Sequence, residues 1–193
     1  MHLKSLQVNQ FKSYEEARFS FISEINCIVG ENGIGKTNLL DAIHFLSMTK
    51  SARGISDQLC IKHTQEFFRV QGDFVDTQDR ETQITCVFQK GAKKQFLRDD
   101  KPYPRLADHI GHFPVVLMDP HDTDLVREGS EERRRFFDGM MSQLDRNFLD
   151  QLLRYNRIVQ QRNVLLKQFA ERGQVDRLQG LGERADLVHL DQD

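Results

Sequence analysis

The stretch "CIVGENGIGKTNLLDAIHFL", from Cys27 to Leu46, constrains this chain more than any other feature, because it joins an apolar run to a glycine-rich turn, a lysine, a threonine and a helical pattern. Gly30, Gly35, Lys36 and Thr37 fit G-x-x-x-x-G-K-[ST], the phosphate-binding P-loop pattern. Ile25 to Val29 reads as a short buried strand, and Leu39, Leu40, Ala42, Ile43 and Leu46 recur at helical spacing, so the loop is expected between strand and helix. A match at this spacing arises by chance in on the order of one chain in a hundred of this length.

Glycines let a backbone wrap a phosphate chain with its N–H groups turned inward, and the N-terminus of the following helix adds a partial positive charge. Gly30, Glu31, Asn32, Gly33, Ile34, Gly35, Lys36 and Thr37 are therefore the expected nucleotide-binding residues. Lys36 would reach the β- and γ-phosphates of a bound nucleotide, and the Thr37 hydroxyl would bind Mg²⁺.

With 193 residues, 38% of them hydrophobic, the chain can bury a core. Its longest apolar stretches, such as Ile110 to Met118, fall far short of a membrane span, and "MHLKSLQVNQF" lacks the apolar segment of a signal peptide. A cytoplasmic protein without membrane contact is expected. Cys27, Cys60 and Cys86 are isolated and form no C-x-x-C pair, which argues against a disulfide framework or a zinc site and for a buried, reduced thiol at each position.

Strand-like alternation marks "LKSLQVNQF" and "EEARFSF", joined by a tight turn at Lys12 to Tyr14, and then "FFRVQGDFV", "ETQITCVFQ" and "KKQFLRD". These suggest an antiparallel sheet beside the sheet that carries the P-loop. A short helix is expected around Leu106 to Ile110, "PVVLM" reads as a further buried strand, and from Asp122 the pattern turns helical. In "VVLMD" the acid Asp119 ends an apolar run, the shape of a second nucleotide motif that helps hold Mg²⁺; with it the chain would be a self-contained NTPase with no DNA role.

The net charge of −2 leaves any nucleic-acid contact to a local patch. From Arg146 to Arg172 six basic residues stand against two acidic ones, while Phe148, Leu152, Tyr155, Val159 and Leu166 form one apolar stripe of a long helix. Most of the basic residues fall away from that stripe, and Arg154, Arg157 and Arg162 are candidates for DNA phosphate contact; a solvated helix face is the competing reading.

"LKSLQVNQFKSYEEARFSF", the P-loop stretch, "HIGHFPVVLMDP" and "EGSEERRRFFDGMMSQLDRNFLDQLLRYNRIVQQRNVLLKQF" together resemble the RecF family of bacterial recombination and repair proteins, over roughly residues 1 to 172. The front third is shared with the wider ABC/SMC-type ATPases, whereas "SEERRRFFD" and "YNRIVQQRNVLLK" are specific to the family. The resemblance implies an α/β P-loop NTPase of ABC/SMC type, with an antiparallel side sheet and a helical second lobe. It further implies an ATP-dependent homodimer that binds single-stranded and gapped DNA and helps load RecA together with RecO and RecR. It adds Lys12 and Ser13 of "FKSY" to the residues lining the nucleotide. It also raises Arg133, Arg134 and Arg135 as candidates for lobe packing, nucleotide sensing or DNA contact. In that family the Asp119 position is not the magnesium-binding acid.

The resemblance fades after about Gly173, while family members continue with a signature motif, an acid pair and a C-terminal sheet segment. "LQGLGERADL" has only a faint likeness to the signature. The expectation is an ATPase part over 1–118 and a helical lobe over 119–193, incomplete at the C-terminus, that binds ATP rather than turning it over.

Overall fold

Alternating apolar side chains build a six-stranded antiparallel sheet. The structure, a computed structural model, describes residues 1–118 and 130–172. Strands β1 (His2–Asn9), β2 (Glu16–Ser20), β3 (Phe67–Val75), β4 (Glu81–Gln89), β5 (Gln95–Arg98) and β6 (Lys101–Pro102) lie in the order β2-β1-β3-β4-β5-β6. The register pairs Leu6 with Gly72 and Val8 with Val70 across β1 and β3, and Val70 with Cys86 across β3 and β4, so the apolar positions share one face. The other face is polar: the Asp73 carboxylate accepts from Ser5 Oγ at 2.6 Å and from Gln83 Nε2 at 2.9 Å.

Helix α1 (Lys36–Met48) covers the apolar face and buries Leu39, Ala42, Phe45 and Leu46. Phe45 makes edge contacts with Phe11 and Phe68 and stacks on Phe96, an arrangement aromatic rings favour. Gly72 permits the close approach, since a Cβ there would lie 2.7 Å from Leu46 Cδ1. At the C-terminal end, where helix carbonyls lack partners, His109 Nε2 donates to the Leu46 carbonyl at 2.5 Å and Lys94 Nζ to that of Thr49 at 2.6 Å. His109 lies in a 3₁₀ turn, Leu106–His109, and packs between Phe96, Tyr103 and Phe113.

Two further helices follow, α2 (Ser130–Leu144) and α3 (Arg146–Arg172), the latter with the limits expected from sequence. The chain divides into two compact units, Met1–Leu149 and Asp150–Asp193. Of the expected stripe on α3, Phe148, Leu152 and Val159 are half-buried, while Tyr155 and Leu166 are exposed. No helix among those residues is long and apolar enough to cross a membrane.

Two expected strands are not formed. Ile25 to Val29 pairs with none of the six strands, and Ile25 and Val29 are 88% and 83% exposed. Its polar partner is local: the Asn26 side-chain amide exchanges two hydrogen bonds of 2.9 Å with the Ile22 backbone. "PVVLM" carries no strand either, and Val116 and Met118 are 65% and 83% exposed. There the Gln143 side chain from α2 stands where a neighbouring strand would, accepting from the Val115 N–H at 2.8 Å and donating to its carbonyl at 3.1 Å. The P-loop sheet is thus absent among the described residues, because neither apolar run finds a strand to bond. Cys27 also departs from expectation: it is exposed, whereas Cys60 and Cys86 are buried, with burial raising the Cys60 thiol to about 11.

Candidate nucleotide site

The loop from Gly30 to Thr37 enters α1 through Gly35, which has φ 112° and is buried. A side chain there is doubly disfavoured, since φ is left-handed and a Cβ would lie 2.8 Å from Ser13 Oγ and 3.1 Å from the Tyr14 ring. Glycine is therefore required at this position by packing as well as by any ligand. Lys36 Nζ curls back over the loop and donates to the carbonyls of Gly30 at 2.7 Å and Glu31 at 2.8 Å. The ammonium is held within the loop's own arc, where an anion wrapped by the loop would meet it. The first N–H groups of α1 lack helical acceptors and add their partial charge at the same point. Thr37 is exposed beside them.

The turn after β1 packs on this helix. Lys12 Nζ lies 2.5 Å from Asp41 Oδ2, Asn38 Nδ2 donates to Ser13 Oγ at 2.8 Å, and Tyr14 Oη donates to the Gly35 carbonyl at 3.0 Å. Lys12 is 11% exposed and Asp41 3%, so the Lys12 cation is committed to a buried carboxylate. Asp41 also accepts from Ser51 Oγ at 2.9 Å and from the Ala52 N–H at 2.7 Å, which fixes the loop beyond α1. Thr37, Asp41, Arg53, Val115 and Met118 line a groove of about 680 Å³ on this side of α1.

Of the basic candidates, Arg135 lines the same groove. Arg133, Arg134 and Arg135 are exposed on α2, where Arg134 meets Ser130 at 3.2 Å and Arg135 meets Glu131 at 3.5 Å. Arg154, Arg157 and Arg162 are exposed on α3, in the second unit. Asp119 lies outside the described residues, as does "LQGLGERADL". Among the described residues no group of three or more His, Cys, Asp or Glu is placed to hold a metal. Sequence reasoning missed Tyr14, Asn38 and Asp41; the one available signal was an acid set among the apolar positions of α1.

An antiparallel sheet laid against a helix that opens on a P-loop defines a P-loop NTPase of ABC/SMC type. Residues 5–189 match the AAA domain family, to which the chain belongs. Within it the chain belongs to the RecF family: it is 46% identical over 167 residues to the DNA replication and repair protein RecF of Bacteroides fragilis, covering 86% of this chain and 45% of that protein. RecF of Flavobacterium johnsoniae is 47% identical over 170 residues, covering 88% and 47%. The chain thus spans about half the length of the curated relatives it matches. Among solved structures, the recombination mediator protein RecF-ATPrS of the RecFOR pathway is similar with TM-score 0.83 and 31% identity, over 93% of this chain and 48% of that one. An SMC ATPase at 20% identity shares the fold, with TM-score 0.58, over 72% of this chain and 99% of that one.

Proposed function

We propose that the chain carries the ATP-binding front of a cytoplasmic DNA replication and repair protein, in which ATP, with Mg²⁺ at Thr37, switches a homodimer that engages DNA and acts with RecO and RecR to load RecA. The observation that carries the ATP part is Lys36 held over the carbonyls of Gly30 and Glu31 at the N-terminus of α1. Kinship with RecF proteins supports the rest. In this scheme binding energy, rather than turnover, drives the change of state, since a ligand that binds one state better shifts the population toward it.

Lys36→Ala removes a charge-assisted contact worth roughly 1.5–3 kcal/mol, so affinity for a fluorescent ATP analogue should fall about ten- to a hundredfold. An unchanged dissociation constant would sink the assignment. The DNA part is tested by replacing Arg154, Arg157 and Arg162 together with Gln. If all three meet phosphates, the slope of log K against log salt should flatten by about 2.7 on duplex DNA, with losses similar across DNA sequences. With helicity and ATP binding intact, an unaltered slope would move the DNA site away from α3, and Arg133 to Arg135 would be tested next.

A further inference from the structure

Three successive residues of one turn meet α1 at three positions spaced by three. Tyr14 bonds the Gly35 carbonyl, Ser13 accepts from Asn38, and Lys12 pairs with Asp41. That spacing keeps all three contacts on one side of a helix. The turn is itself fixed from behind: the Lys12 N–H donates to the Cys60 carbonyl at 2.8 Å, the Lys62 ammonium reaches the Ser13 carbonyl at 3.3 Å, and Lys12 holds φ at 51°, a conformation non-glycine residues seldom adopt.

We propose that Lys12 is a positioning residue of the nucleotide site, acting through Asp41 to set the rotation of the P-loop helix and the place of the loop after it, and is not itself a phosphate ligand. The buried ion pair is the reason. A cation that is 11% exposed against a carboxylate that is 3% exposed could turn away to a nucleotide only by leaving the buried Asp41 charge without its counter-cation, which is strongly unfavourable. Asp41 then relays the constraint through Ser51 Oγ and the Ala52 N–H to Arg53, which lines the same groove as Thr37. The turn thereby couples the start of α1 to the segment beyond its end.

The inference rests on the ATP-binding reading, and a double-mutant cycle separates the two. Binding of a fluorescent ATP analogue is measured for the parent protein, Lys36→Ala, Lys12→Met, Asp41→Asn, the Lys12→Met/Asp41→Asn double variant and Lys12→Arg. Circular dichroism confirms folding, and hydrogen exchange follows the amides of residues 36–39 and 51–54 without nucleotide. A positioning pair predicts that each single change weakens binding about five- to tenfold, that the double variant is no weaker than the worse single one, and that Lys12→Arg stays within about threefold of the parent. Exchange should quicken in both segments for either single variant. A direct phosphate contact would instead give loss with Lys12→Met, none with Asp41→Asn and no change in exchange at 51–54, and it would overturn the proposal. Unaltered binding in both single variants, or losses that add in the double, would overturn it as well. Should Asp41→Asn fail to fold, Tyr14→Phe, which deletes only the hydroxyl on Gly35, must still weaken binding and quicken exchange at 36–39, or the proposal fails. No binding by the parent, or none lost with Lys36→Ala, would remove the ATP reading before any residue of the turn is at issue.

Discussion

β3 and β4 are less apolar than the runs Ile25 to Val29 and Val115 to Met118, yet the first pair are strands in full register and the second pair are not strands at all. Hydrophobicity does not separate them; partners do. Every residue from Phe67 to Val75 has an opposite number in β4, and the face they share is closed by α1. In the second run the Gln143 side-chain amide occupies the bonding position on Val115, and in the first the Asn26 side chain turns back onto the backbone of Ile22, outside the run. An apolar strand is thus a property of a pair of segments, and a side-chain amide can satisfy a residue without ordering its neighbours.

The contrast breaks most readily at the core. Phe45, fully buried among Phe11, Phe68 and Phe96, should cost about 3–5 kcal/mol on change to Ala, whereas Ile25→Ala should cost under about 0.5 kcal/mol because its side chain is already in solvent. Denaturant midpoints measure both, and equal losses would mean that the segment before the P-loop is packed after all.

A second test uses pH. Burial pushes the His109 pKa down to about 4, with the bond to Leu46 opposing. The neutral ring is therefore the native form. As pH falls below about 6.5 the unfolded chain takes up a proton that the folded chain refuses, so stability is lost progressively down to about pH 4, by on the order of 3 kcal/mol. His109→Gln retains a donor for Leu46 and cannot titrate. The stability gap between parent and variant should be flat above pH 7 and shift by that amount toward pH 4; a constant gap would show that the ring is not buried neutral.

The amides themselves give the smaller effects. Gln143→Leu strips both backbone partners from half-buried Val115 and should cost about 1–3 kcal/mol, while Asn26→Ala, at an exposed site where water replaces the amide, should cost about 0.5 kcal/mol or less. Faster exchange of the Val115 N–H in the first variant locates the loss.

Much of the sheet was legible in sequence because alternation needs only neighbours: Phe67–Val75 and Glu81–Gln89 emerge with the limits the pattern gave, and α3 follows its charge and apolar spacing from Arg146 to Arg172. The false strands show the limit of that method, since nothing within Ile25 to Val29 says whether a partner exists. At the site, the loop was readable because its residues are contiguous. Asp41 was not, for its partners Lys12, Ser51 and Ala52 come from both sides of the helix in sequence, and only the packed structure brings them together.

The position of β1 has a consequence for how the protein is made. β1 pairs with β2 on one side and with β3 on the other, and His2 opposite Val75 closes the longer of those loops. The β1–β2 hairpin can form as soon as it is synthesised. The second edge of β1 must wait for the chain from Gln10 to Val75, roughly 3–13 s at ordinary elongation rates. During that interval Leu6 and Val8 have neither β3 nor α1 fully in place to cover them. Any chaperone that attends this protein on the ribosome should therefore find Leu6 and Val8 of β1 uncovered, and slowing translation between residues 20 and 67 should lengthen that encounter.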